Sequence, residues 1–116
     1  MAKRYGTEAF AWAAGVLDGK GSLYVKRRAS HTGKRPVLAL SFQLTDRETL
    51  ERFAATVGHA GTLCKIRRLT SGGATNWQLQ YNGRRAEAVV ESIEPWLGSR
   101  RLGQLAAIRE ELQAAV

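Results

Sequence analysis

Leu38, Leu40, Phe42 and Leu44 alternate with Val37, Ala39, Ser41, Gln43 and Thr45 along residues 37–45. A period of two over this length predicts a β-strand with one face on a core. Weaker versions of the pattern predict strands over Leu23–Arg27, Thr62–Leu69 and Asn76–Tyr81. In the last of these, Trp77, Leu79 and Tyr81 share one side and Asn76, Gln78 and Gln80 the other. Elsewhere the spacing is helical. The first helix should start near Thr7, a suitable N-cap with Glu8 in the first turn, and run past Phe10, Trp12, Ala13, Ala14, Val16 and Leu17. Gly19 and Gly21 should stop it. Thr45 or Asp46 caps a second helix with Leu50, Phe53, Ala54 and Val57 on its apolar stripe and Gly58 at its end. A third runs from Arg84 or Arg85 through Val89, Val90, Ile93 and Trp96, broken near Pro95. The last spans about Arg101–Ala114, with Leu102, Leu105, Ile108 and Leu112 at helical spacing. Residues 29–36, rich in Ser, Thr, Gly and Lys, read as a hairpin loop, and Ser71-Gly72-Gly73 as a turn.

The element order is helix, hairpin, helix, hairpin, helix, helix, within one α+β domain over residues 1–116 and with no internal repeat or linker. Four antiparallel strands with helices on one face leave the other face open. On that face should lie Ser22, Tyr24, Lys26 and Arg28 from the first strand, Ser41, Gln43 and Thr45 from the second, and Asn76, Gln78 and Gln80 from the fourth. The third strand is ambiguous. One parity offers Lys65 and Arg67 between Leu63 and Leu69, the other Arg68 beside Thr62, Cys64 and Ile66.

Charge gives this face a meaning. Eighteen Lys and Arg against ten Asp and Glu leave a formal charge of +8, which suits a polyanion. Amides and guanidinium groups match base edges: Arg reads guanine, Asn or Gln reads adenine. Lys34, Arg35, Arg84 and Arg85 are either phosphate contacts or solvated charges. No apolar run approaches the roughly 20 residues that cross a bilayer, and no basic amphipathic helix suits a membrane surface. Met1-Ala2-Lys3-Arg4 does not open a secretory signal, and Cys64 has no partner for a disulfide. An intracellular setting follows, in cytoplasm, nucleoid or organelle. His31 and His59 are too few for a histidine-based zinc site.

The stretch Trp12-Ala13-Ala14-Gly15-Val16-Leu17-Asp18-Gly19-Lys20-Gly21-Ser22 resembles the signature of the LAGLIDADG homing endonucleases, where a small-residue helix ends in an acid just before a glycine. The element order is similar to that of the family, whose saddle-shaped sheet lies in the DNA major groove. Leu40–Thr45 resembles its second strand, and Pro95-Trp96-Leu97 the start of its last helix. The resemblance implies several things. A single motif implies a homodimer on a pseudo-palindromic duplex site, packed through Ala11, Ala14, Gly15, Asp18 and Gly19. It implies Mg²⁺ held by the carboxylate that falls on position 20 and the main-chain carbonyl of Gly19. It also places Gln43 and Arg100 beside the scissile phosphate. In this chain the acid position holds Lys20, and an ammonium repels a divalent cation. The expectation is a sequence-specific DNA-binding protein with cleavage lost or impaired. The alternatives are a non-enzymatic transcriptional regulator of the same fold and an RNA-binding helper of intron splicing.

Overall fold

The computed structural model describes residues 5–30, 33–67 and 75–114. The first helix, α1, spans Tyr5–Lys20 and runs directly into strand β1, Gly21–Ser30. Then come β2 (Gly33–Leu44), α2 (Arg47–Val57), β3 (Thr62–Arg67), β4 (Thr75–Asn82), α3 (Arg84–Ile93), a short 3₁₀ turn (Glu94–Trp96) and α4 (Ser99–Ala114). The strands form one antiparallel sheet in the order β1-β2-β4-β3, which places the two hairpins side by side along β2 and β4.

One core lies between one face of this sheet and the four helices. The sheet contributes Leu23, Leu38, Leu40, Phe42, Leu79 and Tyr81. The helices bring Ala13, Ala14 and Leu17 from α1, Leu50, Phe53 and Val57 from α2, Val89, Val90 and Ile93 from α3, and Leu105 and Ile108 from α4. Phe53 packs between Phe42 and Tyr81, with ring centroids 4.6 and 6.3 Å away. The Glu94 carboxylate accepts both guanidinium arms of Arg109 at 3.1 Å, tying the 3₁₀ turn to α4. No helix among the described residues is long and apolar enough to cross a membrane.

Local signals acted largely as the residues dictate. Asp46 caps α2, its carboxylate accepting from the Glu48 N–H at 3.1 Å and the Thr49 hydroxyl at 2.7 Å; the Thr49 bond is the main reason its pKa is lowered. Gly58 closes the same helix with φ +74°, a left-handed conformation that costs glycine little.

Three boundaries differ from the sequence reading. Helix α1 already includes Tyr5, so Thr7 lies inside it rather than at its cap. Most of the expected loop at 29–36 is strand, because β1 and β2 stay in register from Gly21↔Phe42 out to Ser30↔Gly33. This outer arm passes the end of β4, whose pairing with β2 stops at Ala39, so no β4 partner misses the N–H that Pro36 lacks. Helix α4 begins at Ser99, and its inward stripe is Arg101, Leu105, Ile108 and Leu112. Leu102, expected on that stripe, is 37% exposed.

Candidate nucleic-acid interface

The face of the sheet opposite the helices is polar and organised in cross-strand rows. Ser22, Ser41, Gln80 and Thr62 form one row; Gln43, Gln78 and Cys64 form the next. Two amides are held in place. Gln78 Nε2 donates to Ser41 Oγ at 2.9 Å, and Gln80 Nε2 donates to Tyr24 Oη at 3.1 Å. The second bond crosses over β2, where the intervening side chains are only Ala39 and Ser41. Each glutamine therefore keeps its carbonyl oxygen and a second N–H for an outside partner.

The end of α1 lies beside this face and is built from both ends of the chain. The Asp18 carboxylate accepts from the Gly98 N–H at 2.9 Å, at the entry to α4. In return, α4 sends cations to the carbonyls at the end of α1. Arg100 Nη2 donates to the Asp18 carbonyl at 3.3 Å. Arg101 donates to the carbonyls of Asp18 and Gly21 and to Gln104 Oε1, and Gln104 Nε2 continues to the Leu23 carbonyl at 3.2 Å. Arg101 is only 7% exposed. Burial and then the neighbouring Arg100 lower its pKa, while Asp18 raises it. The Gly21 backbone comes so close to the core that a Cβ there would lie 2.4 Å from Leu17 Cδ1 and 2.8 Å from Phe42 Cε2.

Lys20 is exposed and makes no hydrogen bond or ion pair among the described residues. It stands at the C-terminal end of α1, where the helix dipole favours a cation. Gln43 adjoins Phe42, the register partner of Gly21, so Lys20, Gln43 and Arg100 gather at one end of the sheet. Sequence reasoning had grouped these three but missed Arg101. Its signal was spacing: positions 101, 105, 108 and 112 follow a 4-3-4 pattern that the apolar Leu102 obscured.

Ser22, Tyr24, Lys26, Ser41, Gln43, Gln78 and Gln80 all lie on the open face, as their strand parity required. Asn76 does too, but is only 8% exposed. Lys65 does not. Its partner is Trp77 and that of Leu63 is Leu79, so this parity of β3 faces the helices. Lys65 Nζ sits 5.9 Å from the Trp77 ring centroid, shared with Arg47 at 4.7 Å. Arg67 shares the Lys65 parity, and Thr62, Cys64 and Ile66 take the open face. Arg35 is exposed on the outer arm. The side chains of Arg28, Lys34 and Arg67, and the whole of Arg68, lie outside the described residues. On α1, Gly15 and Gly19 are exposed and open: a Cβ on either would meet nothing within 4 Å. Ala14, expected on the same stripe, is fully buried in the chain's own core, and the Asp18 carboxylate is turned to α4.

The donor set at this place does not fit a divalent cation. Position 20 offers an ammonium, the Asp18 carboxylate is turned to α4 with Oδ2 on the Gly98 N–H and Oδ1 buried without a partner, and two arginines approach the neighbouring carbonyls. No group of three or more His, Cys, Asp or Glu placed to hold a metal occurs among the described residues. What the arrangement offers is positive charge and N–H donors, the chemistry of a phosphate site.

No family model and no curated protein matches the chain. Solved structures do, among them LAGLIDADG homing endonucleases. I-CvuI in complex with its target in the presence of Ca²⁺ is 20% identical, with a TM-score of 0.68 over 96% of this chain and 68% of that one. The group I intron-encoded I-CeuI complexed with DNA is 18% identical, with a TM-score of 0.65 over 97% of this chain and 57% of that one. I-SmaMI bound to cleaved DNA is 19% identical, with a TM-score of 0.64, and this chain spans 35% of its length. At these identities the likeness defines the fold: an α+β LAGLIDADG homing endonuclease fold, in a chain shorter than each of these neighbours.

Proposed function

We propose that this protein binds duplex DNA sequence-specifically through the open face of its sheet, as a homodimer on a pseudo-palindromic site, and does not cleave it. The observation that carries this reading is the exchange of charge at the end of α1. Lys20 stands free there beside Gln43 and Arg100, while Asp18 is bound to Gly98. An ammonium there can hold a phosphate without recruiting Mg²⁺. The pre-positioned amides of Gln78 and Gln80 supply base-reading groups. The fold supports the same use, since I-CvuI, I-CeuI and I-SmaMI were all solved with DNA. The open stripe of Gly15 and Gly19 supports pairing through α1, because the chain's own core does not need glycine at either position.

Selection of bound sites from random duplex DNA, with and without Mg²⁺, tests the proposal. The expected result is a palindromic enriched site of roughly 20 base pairs, for a dimer over two half-sites, left uncut in both conditions. Cutting by the unaltered chain with Mg²⁺ would show that Lys20 is not disabling. Enrichment of no duplex at all would remove the DNA-binding reading.

A further inference from the structure

Away from the end of α1, the open face runs into a notch of about 600 Å³. It forms where β2 continues outward past the ends of β3 and β4. Val37, Thr62, Gln80 and Asn82 line it from the sheet, and Arg35, Arg84 and Arg85 surround it. Val37 lies five residues along β2 from Phe42, roughly 17 Å at about 3.4 Å per residue, so the notch is separate from the Lys20 site.

Two features suit it to an anion. First, the arginines are not neutralised. Arg35 and Arg84 are exposed and make no hydrogen bond or ion pair among the described residues, and Arg85 gives one arm to the Ala60 carbonyl at 3.1 Å. Glu87 and Glu91 line the adjoining groove beyond Arg84 but not the notch. Second, α3 starts at the notch with no side-chain cap: its N-cap is Gly83, at φ +63°, leaving first-turn N–H groups without a side-chain acceptor.

We infer that this notch is a phosphate-binding site that takes a backbone phosphodiester of the bound duplex, away from the bases read by the central rows. The inference rests on the DNA-binding reading above. Arg35 and Arg84 act there as the principal charges, and the Arg84 and Arg85 main chain as the N–H donors, the Gly83 N–H being held by the Leu38 carbonyl at 2.8 Å. Such a contact adds affinity and salt dependence without sequence preference.

The test is the double variant Arg35→Gln/Arg84→Gln, which changes two exposed side chains with no partner among the described residues. Its affinity for the selected duplex is followed against salt, beside a titration of the DNA-free protein with inorganic phosphate, read by NMR at the amides of Arg84 and Arg85. The expected result is a slope of log K on log salt that falls by about 0.9 for each phosphate no longer neutralised, with site preference unchanged. Inorganic phosphate should move those amides in the unaltered protein and not in the variant. An unchanged slope overturns the assignment to a DNA phosphodiester, whatever free phosphate does. If the unaltered protein binds no duplex, the DNA-binding reading fails, and the phosphate titration decides the notch alone: still amides overturn it, shifted amides that the variant abolishes uphold an anion site.

Discussion

The Asp18 carboxylate caps a helix that begins eighty residues later: its Oδ2 accepts from the Gly98 N–H at 2.9 Å, immediately before Ser99 opens α4. It thereby does for α4 what an N-cap side chain normally does from within the same segment. Asp18→Ala should cost about 1 kcal/mol, in the usual range for removal of a cap, whereas Asp18→Asn retains an acceptor and should lose only part of that. Urea unfolding of the two variants measures the difference. Equal losses would mean that the carboxylate acts through charge and not through this bond.

Arg101 should be far less replaceable. Its buried guanidinium serves the carbonyls of Asp18 and Gly21 and the amide of Gln104, and no ammonium reaches all three as a planar fork does. Arg101→Ala leaves buried carbonyls unpaired, and a loss of about 2–4 kcal/mol is expected. Arg101→Lys should recover less than half. The check is a lower urea midpoint at constant m-value.

Gly15→Ala should separate folding from self-association. Helix propensity alone favours alanine by roughly 0.8–1 kcal/mol, and an added Cβ meets nothing within 4 Å. The monomeric fold should therefore become more stable. If α1 pairs with a second α1 across this stripe, the same methyl group should weaken the dimer, and Gly15→Leu should abolish it. Sedimentation at several protein concentrations, run beside thermal unfolding, reads both effects.

Lys20→Glu should reverse the response to metal. Without divalent ions the variant should bind its duplex more weakly than the unaltered chain, because a cation near phosphate has become an anion. With Mg²⁺ its affinity should rise, and cleavage should appear. The unaltered chain should show neither change. Binding in Mg²⁺ and in EDTA, with the DNA resolved on a gel, tests both halves.

Alkali should act through Tyr81. Burial raises its phenol to about 12, against the opposing pull of Arg85, and its hydroxyl donates to the His59 carbonyl at 2.8 Å. A folded-state pKa above the unfolded value of 10.0 means that this contribution is intact below pH 10 and lost as pH rises toward 12. Tyr81→Phe should flatten that part of the stability profile while lowering stability at neutral pH by about 1 kcal/mol for the missing hydrogen bond. Denaturation at stepped alkaline pH gives the comparison.

Periodicity made most of the fold legible. The strand at Leu38–Leu44 and the capped helix after Asp46 follow from alternation and from one carboxylate. Where the sequence was silent, the cause is physical. Residues 29–36, Ala-Ser-His-Thr-Gly-Lys-Arg-Pro, carry no apolar alternation, so nothing in the pattern marks the outer arm of β1 and β2 as strand. Strand β3 lies at the sheet edge, and the parity that faces the helices mixes Leu63 with the basic Lys65 and Arg67; only pairing with Trp77 and Leu79 decides which way it faces. Arg101 reads as a solvated charge in any sequence, because its acceptors are main-chain carbonyls with no identity of their own. For the same reason the Asp18–Gly98 bond has no residue-type signature at its donor end.

The contacts between α1 and α4 also set an order of events. Each joins residues about eighty positions apart, so a loop of about two-thirds of the chain must close before any of them forms. A nascent chain can form α1, both hairpins and α2 while the carbonyls beside Lys20 still face water. The charge pattern at that point is assembled only when the last helix docks, so a truncated or slowly maturing molecule would carry the polar sheet face without the finished cluster beside it.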